Sequence, residues 1–184
     1  LNKSVGVLAI QGDFQAHIDV LQSIGFTARE IRNSRDLDGV SHLIIPGGES
    51  TTIRRVAQLN GLWDNLAGFR GPVMGTCMGS ILMASTILSP DDRGWGMLDL
   101  TVMRNAYGRQ IDSFSSPGKI AFLEKDFEMV FIRAPKFVEF GNSVRPFAWL
   151  GKEVTGVIAG NKMALAFHPE LSGSSRMHEY FLTL

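Results

Sequence analysis

The sequence predicts a three-layer α/β fold of the flavodoxin-like kind, with a mostly parallel central sheet and antiparallel additions, and three observations predict it. Short apolar runs in the first half of the chain each give way to a segment with helical periodicity. Glycines stand where those runs end, at Gly12, Gly47-Gly48 and Gly75. The side chains best suited to chemistry fall just past strand ends, where open α/β sheets gather their ligands.

Element by element, Val5 to Ile10 reads as a strand and Phe14 to Ile24 as a helix. Phe14, Ile18 and Leu21 recur at helical spacing there, and Gly25 closes the helix. Phe26 to Arg32 is a weaker strand. His42 to Pro46 is a buried strand that breaks at Gly47-Gly48-Glu49-Ser50, after which Thr51 to Leu59 is predicted helical with Ser50 as its N-cap. The run Pro72-Val73-Met74 leads into a helix over Cys77 to Thr86. Beyond Pro90 the pattern changes to short strands between polar loops: Leu98 to Met103, Glu128 to Ile132, Val154 to Ala159 and Met163 to Phe167. Ser174 to Leu184 reads as a closing helix. With no repeat or long linker, residues 1–184 are expected to form one domain.

Composition narrows the class of function. Eighteen basic residues balance eighteen acidic ones, so nothing points to a nucleic-acid or anionic-membrane partner. No run approaches the roughly 20 apolar residues a membrane helix needs, and Val5 to Ile10 is too short for a signal-peptide core. One cysteine excludes an intramolecular disulfide and fits a reducing compartment, so a cytoplasmic location is expected. No metal or cofactor motif is present, and the absence of Gly-Lys-Ser/Thr after the glycines argues against a nucleotide P-loop.

That cysteine, Cys77, lies in Gly75-Thr76-Cys77-Met78-Gly79, a nucleophile-elbow pattern. An abrupt strand-to-helix turn needs small neighbours and presents its middle residue at a helix N-terminus, where free N–H groups stabilise an anion. The plainer reading is a buried cysteine acting as a small hydrophobe. His168-Pro169-Glu170 follows a predicted strand, and residues two apart in an extended segment face the same side. Glu170 is therefore able to orient the His168 ring and fix its tautomer, although a strand-end histidine and a loop glutamate are often satisfied locally. Gly48 and Met78 are the candidates for two backbone N–H donors to an oxyanion.

Together with Pro46-Gly47-Gly48-Glu49-Ser50-Thr51, Gly75-Thr76-Cys77 and Phe167-His168-Pro169-Glu170-Leu171, the segments Arg104 to Gln110 and Phe131-Ile132-Arg133-Ala134-Pro135 resemble the glutaminase subunits of pyridoxal 5′-phosphate synthases, a branch of the class I glutamine amidotransferases. The resemblance runs from about Val5 to the C-terminus. It implies the amidotransferase fold and hydrolysis of L-glutamine, with Cys77 attacking the side-chain amide, His168 shuttling the proton and Glu170 orienting the ring. It also implies a glutamine pocket lined by Gly47, Gly48, Glu49, Arg104, Ile132 and Arg133. A synthase subunit is the implied partner and receives the ammonia.

Met78, Ser80, Gln15-Ala16 before His17, and Ser115 depart from the pattern expected of that family. Two other readings compete: a glutaminase serving a different synthase, such as that for imidazole glycerol phosphate, and a non-catalytic protein whose elbow cysteine senses oxidants. The Arg104 to Gln110 segment argues against the first and the intact His168-Pro169-Glu170 against the second.

Overall fold

The computed structural model describes residues 3–89, 93–104, 106 and 113–184. Strand β1 (Ser4–Leu8) buries nearly every side chain, as a strand covered on both faces must. Helix α1 (Phe14–Ser23) starts at Asp13, whose carboxylate caps the Ala16 N–H, and it buries His17, Ile18 and Leu21. Strand β2 (Thr27–Ile31) returns parallel to β1. Next come a 3₁₀ turn (Ser34–Leu37), strand β3 (His42–Ile45), helices α2 (Ser50–Leu59) and α3 (Trp63–Ala67), and strand β4 (Val73–Thr76). Helix α4 (Met78–Met83) and strand β5 (Ala84–Ile87) follow.

The second half is mostly strands: β6 (Leu98–Met103), β7 (Ser113–Ile120), β8 (Phe127–Ile132), β9 (Lys136–Phe140), β10 (Arg145–Leu150), β11 (Glu153–Ala159) and β12 (Lys162–Leu165). A 3₁₀ turn (Pro169–Leu171) and helix α5 (Arg176–Phe181) close the described chain.

Nine strands form the main sheet in the order β2-β1-β3-β4-β12-β11-β10-β7-β8, and a small sheet holds β5-β6-β9. From β2 to β12 neighbours run parallel; from β12 to β8 they run antiparallel. The expected α/β class with a parallel core and antiparallel additions is therefore what the chain forms, with β12 as the fifth parallel strand. The crossovers β1 to β2 and β3 to β4 run in opposite directions along the sheet, so their right-handedness puts α1 on one face and α2 with α3 on the other. The reversal between β1 and β3 makes a crevice past their carboxyl ends, the place where such sheets bind ligands.

Several local expectations are corrected. The helix expected over Cys77 to Thr86 stops at Met83, because the Leu82 and Ala84 carbonyls accept the N–H groups of Trp95 and Gly96 and the chain continues as β5. Glu49 rather than Ser50 is the N-cap of α2: its longer side chain reaches back to the Thr51 and Thr52 N–H groups, and Ser50 becomes the first helical residue. The last strand ends at Leu165, and the final helix begins at Arg176. Helix α3 and strands β7, β9 and β10 had no counterpart among the expected elements. Of the Arg104 to Gln110 segment, Asn105 and residues 107–110 lie outside the described residues.

Candidate active site

The elbow is built from backbone packing. Cys77 sits between β4 and α4 at φ 49° and ψ −114°, a conformation that costs a side-chain-bearing residue about 1–3 kcal/mol. Its N–H is anchored to the Leu165 carbonyl of β12 at 2.8 Å. A methyl group at Gly79 would stand 2.0 Å from the Ile45 carbonyl oxygen, so the first turn of α4 lies directly on the end of β3. The Ser80 hydroxyl donates to the Cys77 carbonyl at 2.6 Å and ties the turn to the residue it presents. Met78 opens α4, so its N–H has no acceptor within the helix.

His168 follows β12, and its N–H donates to Val130 of β8 at 2.8 Å. Its Nδ1 lies 2.6 Å from Glu170 Oε1, and both residues are 7% exposed. Cys77 is 2% exposed, and its thiol donates to the Ile132 carbonyl, also of β8, at 3.3 Å. Carbonyls two apart on a strand point the same way, so β8 holds both residues with one side of its backbone.

Gly47 packs between them: a methyl group there would stand 2.6 Å from His168 Cε1 and 3.4 Å from Cys77 Cβ. The remaining ring nitrogen, Nε2, is buried without a well-formed hydrogen bond. Burial alone would discharge the ring. Hydrogen bonding and charge from adjacent Cys77 and from Glu170 outweigh that and push the His168 pKa up to about 10.

The crevice rim carries the charged groups. Glu49 is the N-cap of α2 and accepts from the Thr52 N–H and hydroxyl, each at 2.9 Å, and from the Thr51 hydroxyl. Its partial burial opposes ionisation, yet these hydrogen bonds prevail and hold its pKa at about 2. Arg104 Nη2 lies 3.3 Å from Glu49 Oε1. Arg133 is exposed and adopts φ 46°; it and Cys77 are the non-glycine residues with positive φ among the described residues. Both flank the Cys77–Ile132 contact. On the opposite wall a methyl group at Gly12, where φ is +93°, would stand 1.7 Å from the Gly47 carbonyl oxygen. The Gly47–Gly48 peptide is thus pressed against the loop after β1.

The geometry gathers Cys77, His168, Glu170, Gly47 and Ile132 at one point, and pairs Glu49 with Arg104 beside it. Two buried groups lie behind Glu170: His17, which the sequence marks only through the departure at Gln15-Ala16 before it, and His178, which it does not mark at all. A histidine on the apolar face of α1, among Phe14, Ile18 and Leu21, was the available signal. No group of three or more His, Cys, Asp or Glu among the described residues could hold a metal ion. No described helix is long and apolar enough to cross a membrane.

Comparison with known proteins adds a second line of observation. Residues 7–184 match the model of the family described as the SNO glutamine amidotransferase family. The chain is 46% identical over 190 residues to the pyridoxal 5′-phosphate synthase subunit PdxT of Thermococcus gammatolerans, covering 97% of this chain and 96% of that one. It is likewise 46% identical to the protein of that name from Deinococcus radiodurans, with 98% and 96% covered. A solved glutamine amidotransferase structure superposes with a TM-score of 0.92 at 41% identity over 97% of each chain. Another glutamine amidotransferase structure, from Thermotoga maritima, shares the fold at a TM-score of 0.59 and 14% identity, covering 100% of this chain and 84% of that one.

Proposed function

Because the chain belongs to the SNO glutamine amidotransferase family, we propose that it hydrolyses L-glutamine to L-glutamate and ammonia and passes the ammonia to a synthase subunit that makes pyridoxal 5′-phosphate. The observation that carries the chemistry is the strained Cys77 elbow facing the His168–Glu170 pair across Gly47.

Cys77, deprotonated by His168, attacks the carboxamide carbon, and the carbonyl electron pair moves onto oxygen. The N–H groups of Gly48 and Met78 hold that oxyanion. Collapse re-forms the carbonyl and breaks the C–N bond while the imidazolium gives its proton to the departing nitrogen, releasing ammonia and leaving a thioester. Water, losing a proton to His168, attacks the thioester; the thiolate leaves and glutamate is formed.

Glu170 accepts from Nδ1–H whether the ring is charged or neutral, so Nε2 does the proton work. For the transfer the thiol exchanges the Ile132 carbonyl for Nε2 as its partner. Arg104, Glu49 and Arg133 offer the charged contacts that the α-carboxylate and α-ammonium of glutamine need, and Gly47, Gly48 and Ile132 shape the wall around its side chain. The protein works as one glutaminase domain in the cytoplasm, in a hetero-oligomer with its synthase.

The test is a pair of assays with and without the synthase subunit, following glutamate and pyridoxal 5′-phosphate separately. Both products should appear with the wild-type chain and neither should depend on glutamine with Cys77→Ala. Glutamate without pyridoxal 5′-phosphate in the complete mixture would refute the proposed pathway, and turnover by the mutant would refute the nucleophile.

A further inference from the structure

Behind the His168–Glu170 pair a second row of polar groups runs into the core. Glu170 Oε2, buried, takes no well-aligned hydrogen bond, and the group facing it is His17 Nε2 at 3.2 Å. The same nitrogen lies 3.3 Å from Thr76 Oγ1. On its far side His17 Nδ1 is 2.9 Å from His178 Nε2, and His178 Nδ1 has no partner. His17, Thr76 and His178 are wholly buried. Three elements thus meet at the His17 ring behind one carboxylate: α1 through His17 itself, the end of β4 through Thr76, and α5 through His178.

Proton accounting leaves one arrangement. Burial drives the pKa of His17 down, and that of His178 down to about 3, so each ring is neutral and carries one N–H. If the His17 proton sat on Nδ1, the bare Nε2 lone pair would face an ionised carboxylate and Oε2 would have no donor at all. With the proton on Nε2, the N–H edge of the ring meets Thr76 and Glu170, and Nδ1 must accept from His178 Nε2–H. His178 Nδ1 is then a bare acceptor, which accounts for its missing partner. A metal ion does not fit between the rings, since two nitrogen ligands each about 2.0–2.1 Å from a tetrahedral zinc would stand about 3.3 Å apart, farther than the 2.9 Å between these nitrogens.

We infer that His17 is a positioning residue for the hydrolysis, holding Glu170 ionised and fixed against His168 through its second oxygen, and that His178 sets the tautomer with which His17 does so. The inference rests on the proposed Cys77–His168–Glu170 chemistry. A carboxylate gripped at one oxygen can swing about its Cγ–Cδ bond; gripped at both, it holds the imidazole at the angle the thiol requires. Glutamine itself touches neither histidine, so their effect belongs in kcat.

Two measurements on the chain test this. Imidazole ¹⁵N shifts of the resting wild-type protein should report His17 and His178 as neutral Nε2–H tautomers from about pH 7 to 8. An Nδ1–H tautomer at His17 overturns the inference whether or not any variant folds.

With the synthase subunit present, His17→Leu should lower kcat about tenfold at unchanged KM and move the acid limb of its pH profile upward, because Glu170 loses the N–H that favours its charge. The titrating groups facing His17 are Glu170, His168, His178 and Asp13, and Glu170 lies nearest its Nε2. His17→Gln, whose terminal amide restores a donor near the Nε2 position, should recover most of the rate, whereas His17→Asn should not. A His17→Leu protein that melts earlier but keeps the kcat and pH profile of its folded fraction would make the contact merely structural and overturn the inference. Failure of the underlying chemistry would show instead as turnover by Cys77→Ala, with the resting tautomers unaffected.

Discussion

Single residues carry the chemistry here through the space denied to their neighbours. Cys77→Ala removes only sulfur from a fully packed elbow, so it should fold with near wild-type stability by thermal melting and have no detectable glutamine turnover. Gly12→Ala tests the crevice from its other wall. Its methyl would collide with the Gly47 carbonyl in a backbone region closed to alanine, so the Gly47–Gly48 peptide must shift. A fall of about tenfold or more in kcat, with a stability loss of about 1–3 kcal/mol, is expected in glutaminase assays and urea melts.

The raised pKa of His168 has a defined sign in stability. A ring that prefers its charge in the fold contributes fully below its unfolded value of 6.5, and that contribution is lost as pH rises through about 10. Wild-type urea midpoints should therefore drop between pH 7 and pH 10 more than those of Cys77→Ala, in which the ring keeps only Glu170 as its charged partner. Equal drops would show that the two residues do not share a proton.

At the scale of elements, the start of α2 is the most exposed to test. Glu49 serves as N-cap while meeting Arg104, so Glu49→Ala should cost about 1 kcal/mol in chemical denaturation and weaken glutamine binding together. Its lowered pKa means the cap's contribution is complete above about pH 4.5 and fades as pH falls toward 2; acid titration of the wild type against the mutant reads that difference.

The elements β1, α1, β3, α2 and β4 of the first half were legible because each obeys a local rule: an apolar run, a glycine break, then helical spacing; α3 and β5 do not. Strand β7, Ser-Phe-Ser-Ser-Pro-Gly-Lys-Ile, obeys none, and it exists because β8 and β10 pair with it on either side. Strand β10 carries Pro146 near its start, another residue that local rules place outside a strand. The end of α4 is likewise set from a distance, by Trp95 and Gly96. In the site, Cys77, His168 and Glu170 were readable from motifs. His17 and His178 were not, since α1 and α5 meet only through the tertiary fold.

Over the whole molecule, the proposed base and nucleophile come from opposite halves of the sequence but follow adjacent parallel strands, β12 and β4, and both are held by β8. The resting thiol donates to the Ile132 carbonyl on an exposed part of β8, with His168 adjacent. Contact with the synthase subunit should raise the glutaminase rate by releasing it, with the His168–Glu170 hydrogen bond unchanged. A free chain as fast as the complex would contradict this.

The insertion of β12 between β4 and β11 also bears on how the protein is made. Residue Lys162 pairs in register with Val73, so nearly half the chain must be synthesised and folded between the two strands that together hold Cys77. Closing so long a loop costs more chain entropy than pairing strands near in sequence, which slows that step. Until then Cys77 has neither the Leu165 carbonyl to fix its backbone nor His168 to take its proton. A chain still emerging from the ribosome therefore lacks the imidazole beside Cys77, and sulfur and base meet only once β12 has joined β4.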